Sequence, residues 1–276
     1  MNTFFVPSDL SANAASALTY AILLSKKTNA SLVIYHCLVK PPLEGDEQRA
    51  GAALKAQAEN AYSSLGFNKI ADNIKFIIEF NPIKEESILE KAEAAKANLI
   101  IMGTQGSTGL EKLFLGSITS NIISKSEVPV LAVPEKYSGS QLQNIVFCSD
   151  LENIETELKE LLPLINGIGG KLTLLHFDYG TDPEHTLIKN TEAVIEKFVP
   201  APIEFIIQPA SIEYPLTKQI KKYLENTQAD CLVMFTKERS IWDRLFNGSK
   251  TVDISESIKI PLLSFKRGEA GPGISF

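Results

Sequence analysis

Apolar runs recur along the chain, and most are continuous rather than alternating: FFV at 4–6, LVIY at 32–35, LIIM at 99–102 and VPVLAV at 128–133. A strand covered on both faces reads this way, so these segments predict the buried strands of a parallel sheet. Between them the apolar residues fall at helical spacing. LSANAASALTYAILLSKKT (10–28), GDEQRAGAALKAQAENAYSSLGF (45–67) and IKEESILEKAEAAKA (83–97) predict helices, the first with Ser11 as N-cap. Strands alternating with helices need crossover connections, which predicts a doubly wound α/β sheet. Such sheets bind ligands beyond the carboxyl ends of their strands, where the direction of winding switches.

The pattern is stated twice. NTFFVPSDL (2–10) is answered by QNIVFCSDL (143–151), ASLVIYHCL (30–38) by GKLTLLHFD (170–178), ANLIIMGT (97–104) by ADCLVMFT (229–236), and SEVPVLAV (126–133) by IKIPLLSF (258–265). The matches keep one order and drift in spacing by about one short deletion, the mark of an internal repeat. The chain therefore reads as two copies of one unit joined near EKYSGSQLQ (135–143), with domains at 1–138 and 139–276.

Composition narrows the class. Hydrophobic residues make up 44% of the 276 and charged residues 22%, a globular balance. No apolar run approaches a membrane span, and the N-terminus has no basic flank with an apolar stretch behind it, so a cytoplasmic protein without membrane contact is expected. A net charge of −6 argues against nucleic acid as partner. Cys37, Cys148 and Cys231 show no metal-ligand spacing and are expected to be buried small hydrophobes. His36 recurs as His176, which favours a structural role, and Glu44 to Glu47 reads as an exposed helix start rather than a metal site.

The chemistry is concentrated in IIMGTQGSTGLEKLFLGS (100–117), where glycines follow an apolar strand. Gly103 and Gly106 lack a Cβ and can take positive φ, so a phosphate chain can come close to their amides. Gly116 and Ser117 open the helical stretch SITSNIISKSEVP, whose first amides and dipole favour an anion, with Ser117 and Thr119 as hydroxyl donors. Neither the P-loop nor the dinucleotide fingerprint is present. The spacing is instead Gly103-x2-Gly106-x9-Gly116-Ser117.

That spacing, with Pro7-Ser8-Asp9 closing the first strand, resembles the universal stress protein family at its ATP-binding motif. The resemblance implies two tandem flavodoxin-like (Rossmann-like) doubly wound parallel-sheet domains related by a pseudo-two-fold axis. It also implies ATP with Mg in the N-terminal domain. Carried over residue by residue, Pro7, Ser8 and Asp9 border adenine and ribose, and Cys37 flanks the base. Gly103, Gly106, Gly116 and Ser117 form the phosphate loop, with Met102, Ile118 and Thr119 beside it. The metal ligands are not assigned. The loop after the third strand departs from the family by carrying Phe80 and Asn81 where glycine is usual.

In the second copy Phe235 and Glu238 stand at the positions of Gly103 and Gly106, so only Gly248-Ser249 of the glycine motif persist, while Ser149-Asp150 persists after Cys148 in place of Pro7. That copy is expected not to bind ATP in the family's way and to serve the interface instead, through pairing of the last strands. The tail 267–276 is expected to be mobile. A nucleotide-binding regulatory protein of the stress response, acting on an unidentified protein partner as an intramolecular pseudo-dimer or a larger assembly, is the leading reading. A slow ATPase and a non-nucleotide scaffold are the alternatives. Gly103→Val is expected to abolish binding without unfolding the domain.

Overall fold

The computed structural model describes residues 2–104, 116–135, 137, 142–180, 185–236 and 259–267. The first half runs β1 (Thr3–Pro7), α1 (Ala12–Thr28), β2 (Ser31–Leu38), α2 (Asp46–Ser64), β3 (Ile74–Phe80), α3 (Lys84–Ala94), β4 (Leu99–Gly103), α4 (Ser117–Lys125) and β5 (Val130–Val133). The second half repeats it as β6 (Asn144–Cys148), α5 (Ile154–Ile168), β7 (Lys171–Asp178), α6 (Thr186–Glu196), β8 (Ile203–Pro209), α7 (Leu216–Thr227), β9 (Cys231–Thr236) and β10 (Leu262–Lys266).

The predicted helices form where their signals lie. The Ser11 side chain accepts from the Ala14 amide at the start of α1, and Asn29 takes the left-handed conformation that ends it, with φ of 52°. At the start of α2 the Asp46 carboxylate accepts from the Leu43 amide at 2.7 Å and pairs with Arg49, so this acidic stretch is a helix start.

The strands of the described residues join one ten-stranded sheet in the order β3-β2-β1-β4-β5-β10-β9-β6-β7-β8. Every neighbouring pair is parallel except β5 with β10. There Leu262 faces Ala132, Leu263 faces Leu131 and Ser264 faces Val130. Leu131 and Leu263 are each other's counterparts in the repeat, so the pseudo-two-fold axis passes between them. This is the intramolecular pairing of last strands that the sequence predicts.

The pleat sends alternate residues to opposite faces. Phe4, Val6, Leu99, Ile101, Leu131, Phe147, Val233 and Leu263 share a core with α1, α2 and α5. Phe5, Ile100, Met102, Val146, Leu232 and Leu262 share the other with α3, α4 and α7. Each core runs unbroken across the β5–β10 seam, and α1 also packs against α5. No described helix is long and apolar enough to cross a membrane.

Because Leu131 and Leu263 are buried and face each other, Leu131→Ala and Leu263→Ala should each lower stability by about 2–4 kcal/mol in urea unfolding. The double variant should depart from the sum of the two by at least about 0.5 kcal/mol, since each removes the other's partner.

Candidate functional site

In the first half β2 and β3 lie on one side of β1, while β4 and β5 lie on the other. The winding therefore reverses between β1 and β4, and in sheets of this kind the ligand crevice lies beyond the carboxyl ends of the strands at that point. The turn leaving β1 is held by its own side chains. The Ser8 hydroxyl accepts from the Leu10 amide at 3.1 Å, and the Asp9 carboxylate accepts from the Ser11 amide at 3.1 Å. Between them Leu10 sits at φ 65°, a left-handed conformation that costs a branched residue about 1–2 kcal/mol. The second half repeats the device: Ser149 holds Leu151 at 3.0 Å, Asp150 holds Glu152 at 3.1 Å, and Leu151 has φ of 69°. His36 Nδ1 lies 2.8 Å from the Ser8 carbonyl, and His176 Nδ1 lies 3.0 Å from the Ser149 carbonyl. The repeated Ser-Asp-Leu and the repeated histidine thus build one turn in both halves.

Strand parity gathers three of the expected residues. Cys37 and Met102 belong to the core on the α3–α4 face, and Pro7, two residues after Phe5, takes the same face. They stand side by side at the ends of β2, β4 and β1. The Cys37 thiol donates to the Asn81 carbonyl at 3.4 Å, while the Asn81 amide donates to the Leu38 carbonyl at 2.9 Å. Asn81 also accepts from the Ile83 amide through its side chain at 2.9 Å. This turn closes the β3 loop with neither Phe80 nor Asn81 at positive φ, so the missing glycine leaves an ordered wall.

The amino end of α4 is drawn to the end of β4 on the same face. The Gly116 amide donates to the Thr104 carbonyl at 2.6 Å, and the buried Thr119 hydroxyl donates to the Gly103 carbonyl at 2.9 Å. Thr119 is therefore an anchor of the helix. Gly116 occupies the N-cap position and has no side chain with which to cap the helix. Ser117 is exposed, and Ile118 packs against the α3–α4 core. The positive end of α4 is left facing the crevice with a hydroxyl beside it. Gly106 lies outside the described residues, as do Gly109, Trp242 and the second-half positions Lys237 to Lys250.

Gly103 needs a different explanation from the one its motif suggests. Its φ is not positive, and a Cβ there would lie 2.6 Å from the Asn13 side-chain oxygen and 3.0 Å from the Asn13 carbonyl. The missing Cβ lets α1 press onto β4. The expectation that Gly103→Val spares the fold does not suit this packing, because even a Cβ would press on the Asn13 side chain and come within 3.0 Å of its carbonyl.

The second half fills the corresponding places. Phe177 takes the position of Cys37 and Phe235 that of Gly103. Phe235 does not project toward a ligand. It packs into the α5-side core, stacked on Phe265 at 4.5 Å and tilted against Phe147 at 5.3 Å. The tail prediction also fails at its first residue. Only 14% of the Arg267 side chain is exposed, and its guanidinium bonds to Asp150 at 2.6 Å and to Glu157 at 2.8 Å. Residues 268–276 lie outside the described set.

The universal stress protein family model matches residues 1–134. A universal stress protein of Methanocaldococcus jannaschii is 34% identical over 136 residues, covering 46% of this chain and 79% of the relative. A second from the same organism is 32% identical over 117 residues, covering 42% of this chain and 72% of the relative. The chain belongs to the universal stress protein family. The crystal structure of a universal stress protein from Archaeoglobus fulgidus matches 97% of this chain and 99% of its own, with a TM-score of 0.62 at 19% identity. That likeness shows that the fold extends over both halves, beyond the stretch matched by the family model.

Gly103→Ala should lower stability by roughly 1–3 kcal/mol in urea unfolding, whether or not a ligand is present. Cys231 is buried, and burial pushes its thiol up to about 12. It should therefore stay unlabelled by a disulfide reagent at pH 8 until the chain is unfolded.

Proposed function

We propose that the first half binds ATP with a divalent ion at the carboxyl ends of β1 and β4, and that the protein is a nucleotide-responsive regulator of the stress response. The observation that supports this best is the uncapped amino end of α4 held against the end of β4, the strand that pairs with β1. Main-chain amides and a helix dipole suit a phosphate chain, and they do so in a protein of net charge −6 without a lysine cluster. In this reading Pro7, Cys37 and Met102 line the base and ribose, with Asp9 beside the ribose. Gly106, Gly116 and Ser117 take the phosphates.

The donor set also fits a magnesium ion. Among the described residues no group of three His, Cys, Asp or Glu side chains is placed to hold a metal ion. Magnesium commonly rides on phosphates and water with one or two carboxylates, so a cage of protein ligands is not required. The ion would neutralise the phosphates that the amides hold.

The chain is read as two domains, 1–138 and 139–276, of which the second serves the pseudo-dimer. Phe177 at the Cys37 position and an Asp150 already taken by Arg267 argue that it holds no nucleotide. A cytoplasmic location and recognition of the nucleotide-bound form by another protein complete the proposal.

Titration calorimetry with ATP and magnesium should give one nucleotide per chain. Asp9→Asn, which keeps an oxygen for the Ser11 amide, should weaken binding at least tenfold, or about 1.4 kcal/mol, with unchanged circular dichroism. No heat at millimolar nucleotide from folded protein would end the proposal. Two nucleotides per chain would end the assignment to one half.

A further inference from the structure

The first residue beyond β10 closes the second half. Arg267 reaches back over the end of the sheet and donates to both oxygens of Asp150, at 2.5 and 2.6 Å. Its Nε and Nη2 donate to one oxygen of Glu157 at 2.9 and 2.8 Å. The other Glu157 oxygen accepts from the Ser149 hydroxyl at 3.0 Å, and a Glu152 carboxylate oxygen stands 3.8 Å from Arg267 Nη1. Glu157 is only 2% exposed, so one planar cation neutralises a carboxylate that water cannot reach. Burial alone would raise the Asp150 carboxyl, but the guanidinium outweighs it and leaves the group below its usual range.

The first half uses the same two repeat positions differently. Ser16 is the counterpart of Glu157 and Glu135 that of Arg267. There the Ser16 hydroxyl simply donates to the Glu135 carbonyl at 2.6 Å. A neutral side-chain-to-backbone bond in the half with the glycine loop has become a buried ion pair in the half without it. The pair also grips the turn itself, since Asp150 is the counterpart of Asp9.

We propose that Arg267 is a built-in ligand, a latch that occupies the second half's Ser149-Asp150 turn from within the chain and holds that crevice shut. The latch stands by itself on these contacts; describing the turn as the counterpart of a nucleotide site rests on the function proposed above. Adjacent Lys266 pairs with Glu127 just ahead of β5, so the same strand end is tied to both halves.

The test is Arg267→Ala in the full chain, followed by thermal unfolding with and without methylguanidinium at tens of millimolar. The Tm should fall by roughly 5–10 °C. Methylguanidinium should restore at least half of the loss, whereas methylammonium should not, because only a planar fork can bridge both carboxylates. Wild-type protein should show no such gain. An unchanged Tm, or a loss that neither cation or both cations repair equally, would overturn the latch. If Arg267→Ala is not recovered folded, Asp150→Asn takes its place. It should lower the Tm and speed amide exchange at Arg267, and no change in either would overturn the proposal. Nucleotide binding separates the two ideas. Selective rescue in a protein that never binds ATP keeps the latch and removes the nucleotide reading. A second nucleotide bound by Arg267→Ala and not by the wild type would support the latch, because removing the arginine would then have opened the crevice it holds shut.

Discussion

Two short strands meeting antiparallel at Leu131 and Leu263 carry the architecture. Each is apolar on both faces and would otherwise be an open edge, which is a liability in water. Pairing them covers both and lets the two cores run continuously through ten strands. The outer edges that remain, β3 and β8, carry Lys75, Glu79, Glu204 and Gln208 among their apolar residues, which discourages further pairing. The antiparallel seam also sends the strand ends of the two halves in opposite directions. Each crevice can then change without disturbing the other.

The halves have used that freedom at matched positions. At the end of β4 the absence of a Cβ lets Asn13 of α1 approach within van der Waals range of the sheet. At the end of β9 Phe235 supplies the missing volume, with Phe265 and Phe147 stacked beside it. Both solutions fill the space between sheet and helix, since interiors tolerate neither voids nor overlap. They differ in consequence. A close helix leaves main chain at the strand end, whereas an aromatic trio builds a conventional core. The same contrast holds at Ser16 with Glu135 and Glu157 with Arg267, where a hydroxyl bond in one half is an ion pair in the other.

Most of the fold was legible in the sequence. Continuous Val, Ile and Leu runs marked buried strands, helical periodicity marked the crossovers, and the repeat of SEVPVLAV as IKIPLLSF marked the two strands that meet. The caps of α1 and the acidic start of α2 were equally readable, because they depend on residues within a few positions of one another. Pro7, Cys37 and Met102 were named through the family resemblance, and the strand order and two-residue pleat of the structure explain why they share a face.

What escaped were contacts between segments far apart in the chain. Gly103 reads as a phosphate glycine, yet its missing Cβ is demanded by Asn13 in α1, and Thr119 reads as a donor to ligand but is spent on the Gly103 carbonyl. Arg267 reads as the first residue of a glycine-rich tail, and only its reach to Asp150 and Glu157 reveals an anchor. The sequence by itself determined the alternation of elements, the duplication and the local turns, because these rest on short-range periodicity and capping. The tertiary structure decided which glycine serves packing, which hydroxyl is committed and which charge is buried. Those outcomes depend on distances that exist only after the chain has closed on itself.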